Sequence, residues 1–243
     1  MNVNVANWIG LRDSQEDAHR VKFYPEGVLV VVCDGMGGHQ HGELASAAAV
    51  EAFEQDFSQT AAAMPVTRRL QHALDAANAA VGAAFEGTSS YGGTTLVAAY
   101  ISSGVIWWVS VGDSLLFIWR RQRLLRLNED HSMRPVYLEY VNAGALSYEE
   151  AMRGGHSLRS ALTGMTPSLV DLAATPMPLL PGDRIILATD GADDILLQQI
   201  LSPEVRQLLS GKDMPLSAAI VQACQALKDP GADNVTVVSV DWP

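Results

Sequence analysis

Cysteine and positive charge are both scarce in the 243-residue chain. Cys33 and Cys224 are its two thiols, and 16 Lys and Arg stand against 27 Asp and Glu, for a net charge of −11. Two thiols without CxxC spacing build neither a secreted disulfide framework nor a zinc site; they suit a reducing compartment, so a cytoplasmic address is expected. A surface of this sign repels phosphate backbones and anionic lipid, which argues against nucleic acid and membranes as partners. No stretch nears the roughly 18 uninterrupted apolar residues of a membrane span, and the opening MNVNVANWIGLRDSQED has neither a basic nor an apolar signal region. Repeats and low-complexity linkers are missing too. What is present is a chain 48% apolar, long enough for a sizeable core, read as a single domain over residues 1–243.

Runs rich in Val and Ile at Val28–Cys33, Thr95–Ile101, Val105–Val111, Leu115–Trp119, Ile185–Ala188 and Val235–Val240 are bounded by Gly, Asp or Ser and predict buried strands. Val66, Leu70, Leu74, Ala77, Val81 and Phe85 recur at helical spacing after Pro65, and Leu216, Ile220, Ala223 and Leu227 repeat the pattern after Pro215. Ala-rich Leu44–Val50 predicts a closely packed helix. Between Thr95 and Leu127 the links joining successive strands are too short for parallel crossovers, so those strands are antiparallel. Strands apolar on both faces need a cover on each, which a second sheet and amphipathic helices supply, giving a layered α/β sandwich. Residues 128–165 are polar, with short helical pieces at Val136–Asn142 and Ser147–Met152, and are expected to form a mobile flap.

Four Asp residues stand at the ends of apolar runs beside Gly or Asn: Asp34 in VVCDGMGGH, Asp113 in VSVGDS, Asp190 in ILATDG and Asp233 in GADNVTVV. One Asp-Gly pair is ordinarily a turn; four in matched context suggest more. If the ends converge, the repulsion between carboxylates is relieved by protons or by cations, and an all-oxygen set selects Mg²⁺ or Mn²⁺. Two such ions about 3.5–4 Å apart suit hydrolysis of phosphate esters. Upstream, Arg12 in RDSQEDAH offers a bidentate phosphate grip, while Glu16 and Asp17 can orient metal waters.

These residues resemble the metal-dependent protein phosphatases, the type 2C serine/threonine phosphatases, in their stand-alone bacterial form. RDSQEDAH, VVCDGMGGHQHGE, YGGTTLVAAY, VSVGDSLLFIW, EDHS, ATDGADDIL and DNVTVVSV follow one another in family order from Arg12 to Val240. The resemblance implies an α+β fold, a four-layer α-β-β-α sandwich of two antiparallel sheets flanked by helices, with a flap bordering the active site. It also implies a centre of two Mn²⁺ or Mg²⁺ ions. Asp34 would bridge them, the Gly35 carbonyl would bind one, Asp190 and Asp233 would complete the other, and Glu16 and Asp17 would hold waters. Arg12 would bind the substrate phosphate and Asn234 would steady the last loop. Asp113 and Asp194 match the positions of a third, weaker ion.

The chain departs from the family pattern at Gln15, where Asn is common, and at Leu115, where an Arg commonly follows GDS. At the position of a general-acid His in animal relatives it has Met36, leaving His39 and His19 as candidates for proton transfer. The implied activity is hydrolysis of phosphoserine and phosphothreonine in proteins by direct attack of a metal-activated water, by a monomer opposed by a Ser/Thr kinase. A non-catalytic module that binds phosphoproteins or a kinase on the same fold is the alternative. A cysteine phosphatase built on Cys33 fails because position 39 is His where an Arg must cradle phosphate. A P-loop at Gly82 and Gly87 fails because Thr88 stands where Lys is needed.

Overall fold

In a computed structural model, which describes residues 1–37, 40–61, 63–87, 90–197 and 201–243, the strands are β1 (Asn2–Trp8), β2 (Asp17–Tyr24), β3 (Gly27–Met36), β4 (Gly93–Thr94), β5 (Leu96–Ser102), β6 (Val105–Val111), β7 (Leu115–Arg120), β8 (Arg123–Arg126), β9 (Asp171–Leu172), β10 (Met177–Pro178), β11 (Arg184–Ala188) and β12 (Val235–Asp241). The helices are α1 (Gln40–Gln59), α2 (Val66–Ala84), α3 (Arg134–Asn142), α4 (Tyr148–Gly154), α5 (Asp193–Leu196), α6 (Pro203–Ser210) and α7 (Leu216–Leu227). One sheet runs β1-β12-β11-β7-β8, the other β10-β6-β5-β3-β2 with β4 and β9 added on β3 and β6. Every pairing is antiparallel, as the short connections require.

The continuous apolar runs are explained by burial on both faces. In β3, Val28, Val30 and Val32 enter the layer between the sheets, beside Ile185, Leu187, Val238 and Val240. The alternate residues Leu29, Val31 and Cys33 face α1 and α2 and meet Phe53, Leu70 and Ala77. On the far side, Ile186 and Val237 pack against Leu209, Ile220 and Cys224 of α6 and α7. The result is the α+β four-layer sandwich, with its cores stacked helix, sheet, sheet, helix.

Both N-terminal strands were unanticipated. β1 and β2 are the outermost strands of their sheets, with no fully buried residue, so apolar and polar residues interleave and no uninterrupted run marks them. The polar stretch 128–165 does carry two helices, each slightly longer than expected. Pro135 occupies the first turn of α3, and Ser147 and Glu150 form a reciprocal capping box at the start of α4.

Candidate metal centre

The antiparallel topology delivers the chemistry to one edge. Asp17 opens β2 and pairs directly with Asp34 near the end of β3. Asp113 follows β6 and precedes β7, Asp190 follows β11, and Asp233 precedes β12. Strands that alternate in direction bring the end of one beside the start of the next, so acids scattered over the whole chain meet. They open on a cavity of about 740 Å³ whose wall includes Arg12, Glu16, Asp34, Asp113, Asp190 and Asp233.

The backbone around Asp34 is fixed from several sides. Its N–H donates to Thr95 Oγ1 at 2.9 Å, its carbonyl accepts from Thr94 Oγ1 at 2.8 Å, and Thr95 Oγ1 lies 2.6 Å from Ser114 Oγ. Gly35 is required by space: a Cβ there would lie 2.1 Å from the Gly42 carbonyl oxygen and 2.6 Å from that of Glu16. Asn234 is nearly fully buried and ties the N-terminal loop to the strand end. Its Oδ1 accepts from Glu16 N–H at 2.7 Å, while Nδ2 donates to the carbonyls of Ile9 at 2.7 Å and Ser14 at 3.1 Å.

Burial, then the charges of Asp190, Asp17, Asp113 and Asp233, lift the Asp34 carboxyl well above its usual range. Burial and Asp233 also raise Asp190, although Asp34 opposes the shift. Asp17 rises to about 7 mainly through burial, although Thr236 and Thr189 oppose the shift, and Asp113 rises to about 8 through burial and Asp190. Asp17 Oδ1 and Asp113 Oδ2 are buried without a hydrogen bond. Crowded, under-satisfied carboxyls fit a divalent cation, and a purely oxygen donor set fits Mn²⁺ or Mg²⁺. Among the described residues no three His, Cys, Asp or Glu side chains close round one point as a metal cage.

Arg12 stands at the rim, its side chain 56% exposed, and donates to Asp233 Oδ2 at 2.7 Å. Of the two residues matched to a third ion, Asp113 is buried on the cavity wall and Asp194 is exposed. Asp194 lies on the exposed side of α5, because one residue along a helix turns a side chain about 100°. Asp193 is the residue turned inward, where its charge acts on Asp113. The cation that the family pattern puts after GDS comes from elsewhere: Arg126 Nη2 donates to the Asp113 carbonyl at 3.1 Å, and Arg134 pairs with Asp193.

His39 lies outside the described residues. His19 pairs with Val32 along β2 and does not line the cavity, whereas His156 does. Cys33 is fully buried in the helix-side core, and burial pushes its thiol far above the range of a reactive thiolate.

The family profile described as Protein phosphatase 2C matches residues 12–226. A serine/threonine phosphatase stp of Listeria monocytogenes is 29% identical over 220 residues, covering 88% of this chain and 84% of that protein. The crystal structure of the Mycobacterium tuberculosis serine/threonine phosphatase PstP/Ppp superposes with a TM-score of 0.77 at 28% identity, covering 99% of this chain and 97% of the other. A second structure, the catalytic domain of PstP in complex with two manganese ions, gives a TM-score of 0.73 at 28% identity, with coverage of 99% and 97%.

Proposed function

Because the chain belongs to the protein phosphatase 2C family, we propose that the acids at its strand ends form the catalytic centre of a metal-dependent serine/threonine protein phosphatase, holding two Mn²⁺ or Mg²⁺ ions. The observation that carries the assignment is the convergence of Asp34, Asp113, Asp190 and Asp233, drawn from both sheets, on the wall of one cavity. Asp34, the Gly35 carbonyl, Asp190 and Asp233 would hold the ions, and Glu16 and Asp17 would hold waters beside them. The manganese pair bound by the similar PstP catalytic domain supports the count of two.

When bound, the ions supply Lewis-acid activation of a water and neutralise charge on the phosphoryl oxygens. The side chains position and balance. Thr94, Thr95 and Ser114 hold the Asp34 backbone, and Asn234 holds Glu16 in place. Arg12, long and exposed, exchanges Asp233 for the substrate phosphate, which it grips bidentately. A loose phosphoryl transition state needs little covalent help, and Cys33 is too deeply buried to supply any. Hydrolysis therefore runs without a phosphoenzyme. His39 is assigned to proton transfer to the leaving group.

The substrates are phosphorylated proteins. We assign residues 1–243 to one catalytic domain, with 128–165 as a flap that selects among substrates. Support comes from the lining of the cavity by His156 and Ser160 and from the bridges Thr94↔Leu162 and Ser132↔Leu158 that fasten this segment to the site. Among the described residues no helix is long and apolar enough to cross a membrane. A cytoplasmic monomer opposed by a Ser/Thr kinase completes the assignment.

Replacing Asp34 or Asp190 with Ala is expected to abolish Mn²⁺-dependent phosphate release from an aryl phosphate by at least about 10³-fold, while circular dichroism stays native. EDTA is expected to stop the wild-type reaction. Turnover retained in either variant would overturn the assignment, and tight phosphopeptide binding without turnover in the wild type would favour a binding module.

A further inference from the structure

Positive charge collects at the β7–β8 corner, on the outer edge of the five-stranded sheet. A groove of about 700 Å³ there is lined by Arg121, Arg123, Arg126 and Arg206, four of the chain's 16 cationic residues, and by none of its 27 acidic ones. Arg126 is held by Asp130. Arg121, Arg123 and Arg206 are exposed, and among the described residues no carboxylate pairs with them. Leu124 and Leu201, both half-buried, give the groove an apolar floor. It shares no lining residue with the metal cavity.

β8 pairs with β7 and with no other strand among the described residues. Leu127 N–H donates inward to the Leu116 carbonyl. Bonding direction alternates along an antiparallel strand, so the backbone N–H and C=O of Leu124 and Arg126 point outward from the edge. The corner is held in shape. Arg121 and Gln122 take positive φ of 50° and 64°, a tight turn that Asn-Gly would favour. Arg206 Nη1 donates to the Gln122 carbonyl at 3.2 Å, and Ser210 Oγ to Gln122 Oε1 at 3.3 Å, fastening the turn to α6.

We propose that β8 is a docking edge for an extended acidic segment of a partner protein, which adds to the sheet as a further antiparallel strand. The segment that fits has Asp or Glu opposite Arg123, another acid reaching Arg121 or Arg206, and apolar residues opposite Leu124 and Leu125, the latter 42% exposed. An acidic segment is repelled by a molecule of net charge −11 everywhere except at such a corner, which gives the edge its selectivity. The same arginines exclude a second copy of this chain, since β8 against β8 sets arginine opposite arginine. The inference is independent of the metal-centre assignment.

Fluorescence anisotropy of a labelled Glu-Asp-Val-Ile-Asp-Glu peptide with the Mn²⁺-loaded protein tests this. Saturable binding is expected, weakened at least about tenfold in the double variant Arg121→Glu/Arg123→Glu, with Lys at the four acidic positions of the peptide, or with the Ile amide, which faces Leu124, N-methylated. Saturating peptide is expected to leave aryl phosphate turnover unchanged, as is the double variant. Circular dichroism follows folding; should the double variant not fold, Arg123→Ala and the modified peptides decide. No saturation at millimolar peptide overturns the inference, as does affinity that survives the charge reversal or the N-methyl group, or competition between peptide and aryl phosphate. Tighter binding of a single-stranded oligonucleotide or of phosphatidylserine vesicles, or dimerisation through β8 in sedimentation, would likewise overturn it.

Discussion

Asn234 shows how much one side chain can organise: a single amide satisfies the backbone of Ile9, Ser14 and Glu16 and so shapes the loop that carries Arg12 and Glu16. Cys33 makes the opposite point, since its place next to Asp34 in sequence invites a nucleophilic role that burial forbids. Cys33→Ala should leave kcat for an aryl phosphate within about twofold of wild type and lower stability by about 1 kcal/mol in urea unfolding, the scale of a small core truncation. His131 is buried, accepts from Gly112 N–H through Nδ1, and is held below its usual pKa by burial against the pull of Glu129, Asp171 and Asp130. Below pH 6.5 the unfolded chain binds this proton more readily than the folded one, so stability present above pH 6.5 is lost as pH falls. Thermal unfolding of the wild type and His131→Gln between pH 7.5 and 5.5 should show a steeper decline in the wild type. Asp34, Asp113, Asp190 and Asp233 announced themselves as residues because the same context, an apolar run ending in Asp beside Gly or Asn, occurred four times. Asp193 and Arg134 did not, because which of two adjacent acids turns inward depends on helix phase, and an arginine in a distant segment carries no local mark of its partner.

At the scale of elements, the central strands were legible because burial on both faces writes an unbroken apolar run. The outermost strands β1 and β2 were not, although β1 alternates Asn and Val in the period-two pattern of a half-buried strand. α2 was legible from its apolar stripe, but its second task was hidden. Asn78 Oδ1 accepts from the N–H groups of Thr163 and Gly164 at 3.1 and 3.0 Å, its Nδ2 donates to the Met165 carbonyl at 2.9 Å, and a Cβ on Gly82 would stand 2.8 Å from Gly164 Cα. The helix therefore holds the loop that lines the cavity at Thr163 and Met165. Gly82→Val should displace that loop and raise KM for a phosphopeptide by about tenfold, a loss of about 1.4 kcal/mol of binding, while KM for a small aryl phosphate changes little. Parallel steady-state kinetics on the two substrates check this; an equal rise in both would mean that the loop does not contact the peptide.

At the scale of the molecule, the net charge of −11 is expected to favour phosphosites set among basic residues. Charges outside the site steer association and are screened within about 8–10 Å at physiological salt. Raising NaCl from 50 to 300 mM should therefore increase KM for a phosphopeptide flanked by Lys and Arg several-fold more than for an acidic one, as a peptide panel would measure.

Asp17 and Asp34 come from one sheet, Asp190 and Asp233 from the ends of strands in the other. The Val, Ile and Leu side chains packed between the sheets consequently act as a shim: their combined thickness sets the gap across which opposing acids must cooperate. The outer helices can shift without altering that gap, but a repacked middle layer cannot, so mispacking there would misalign the reactive groups while the protein still looked folded.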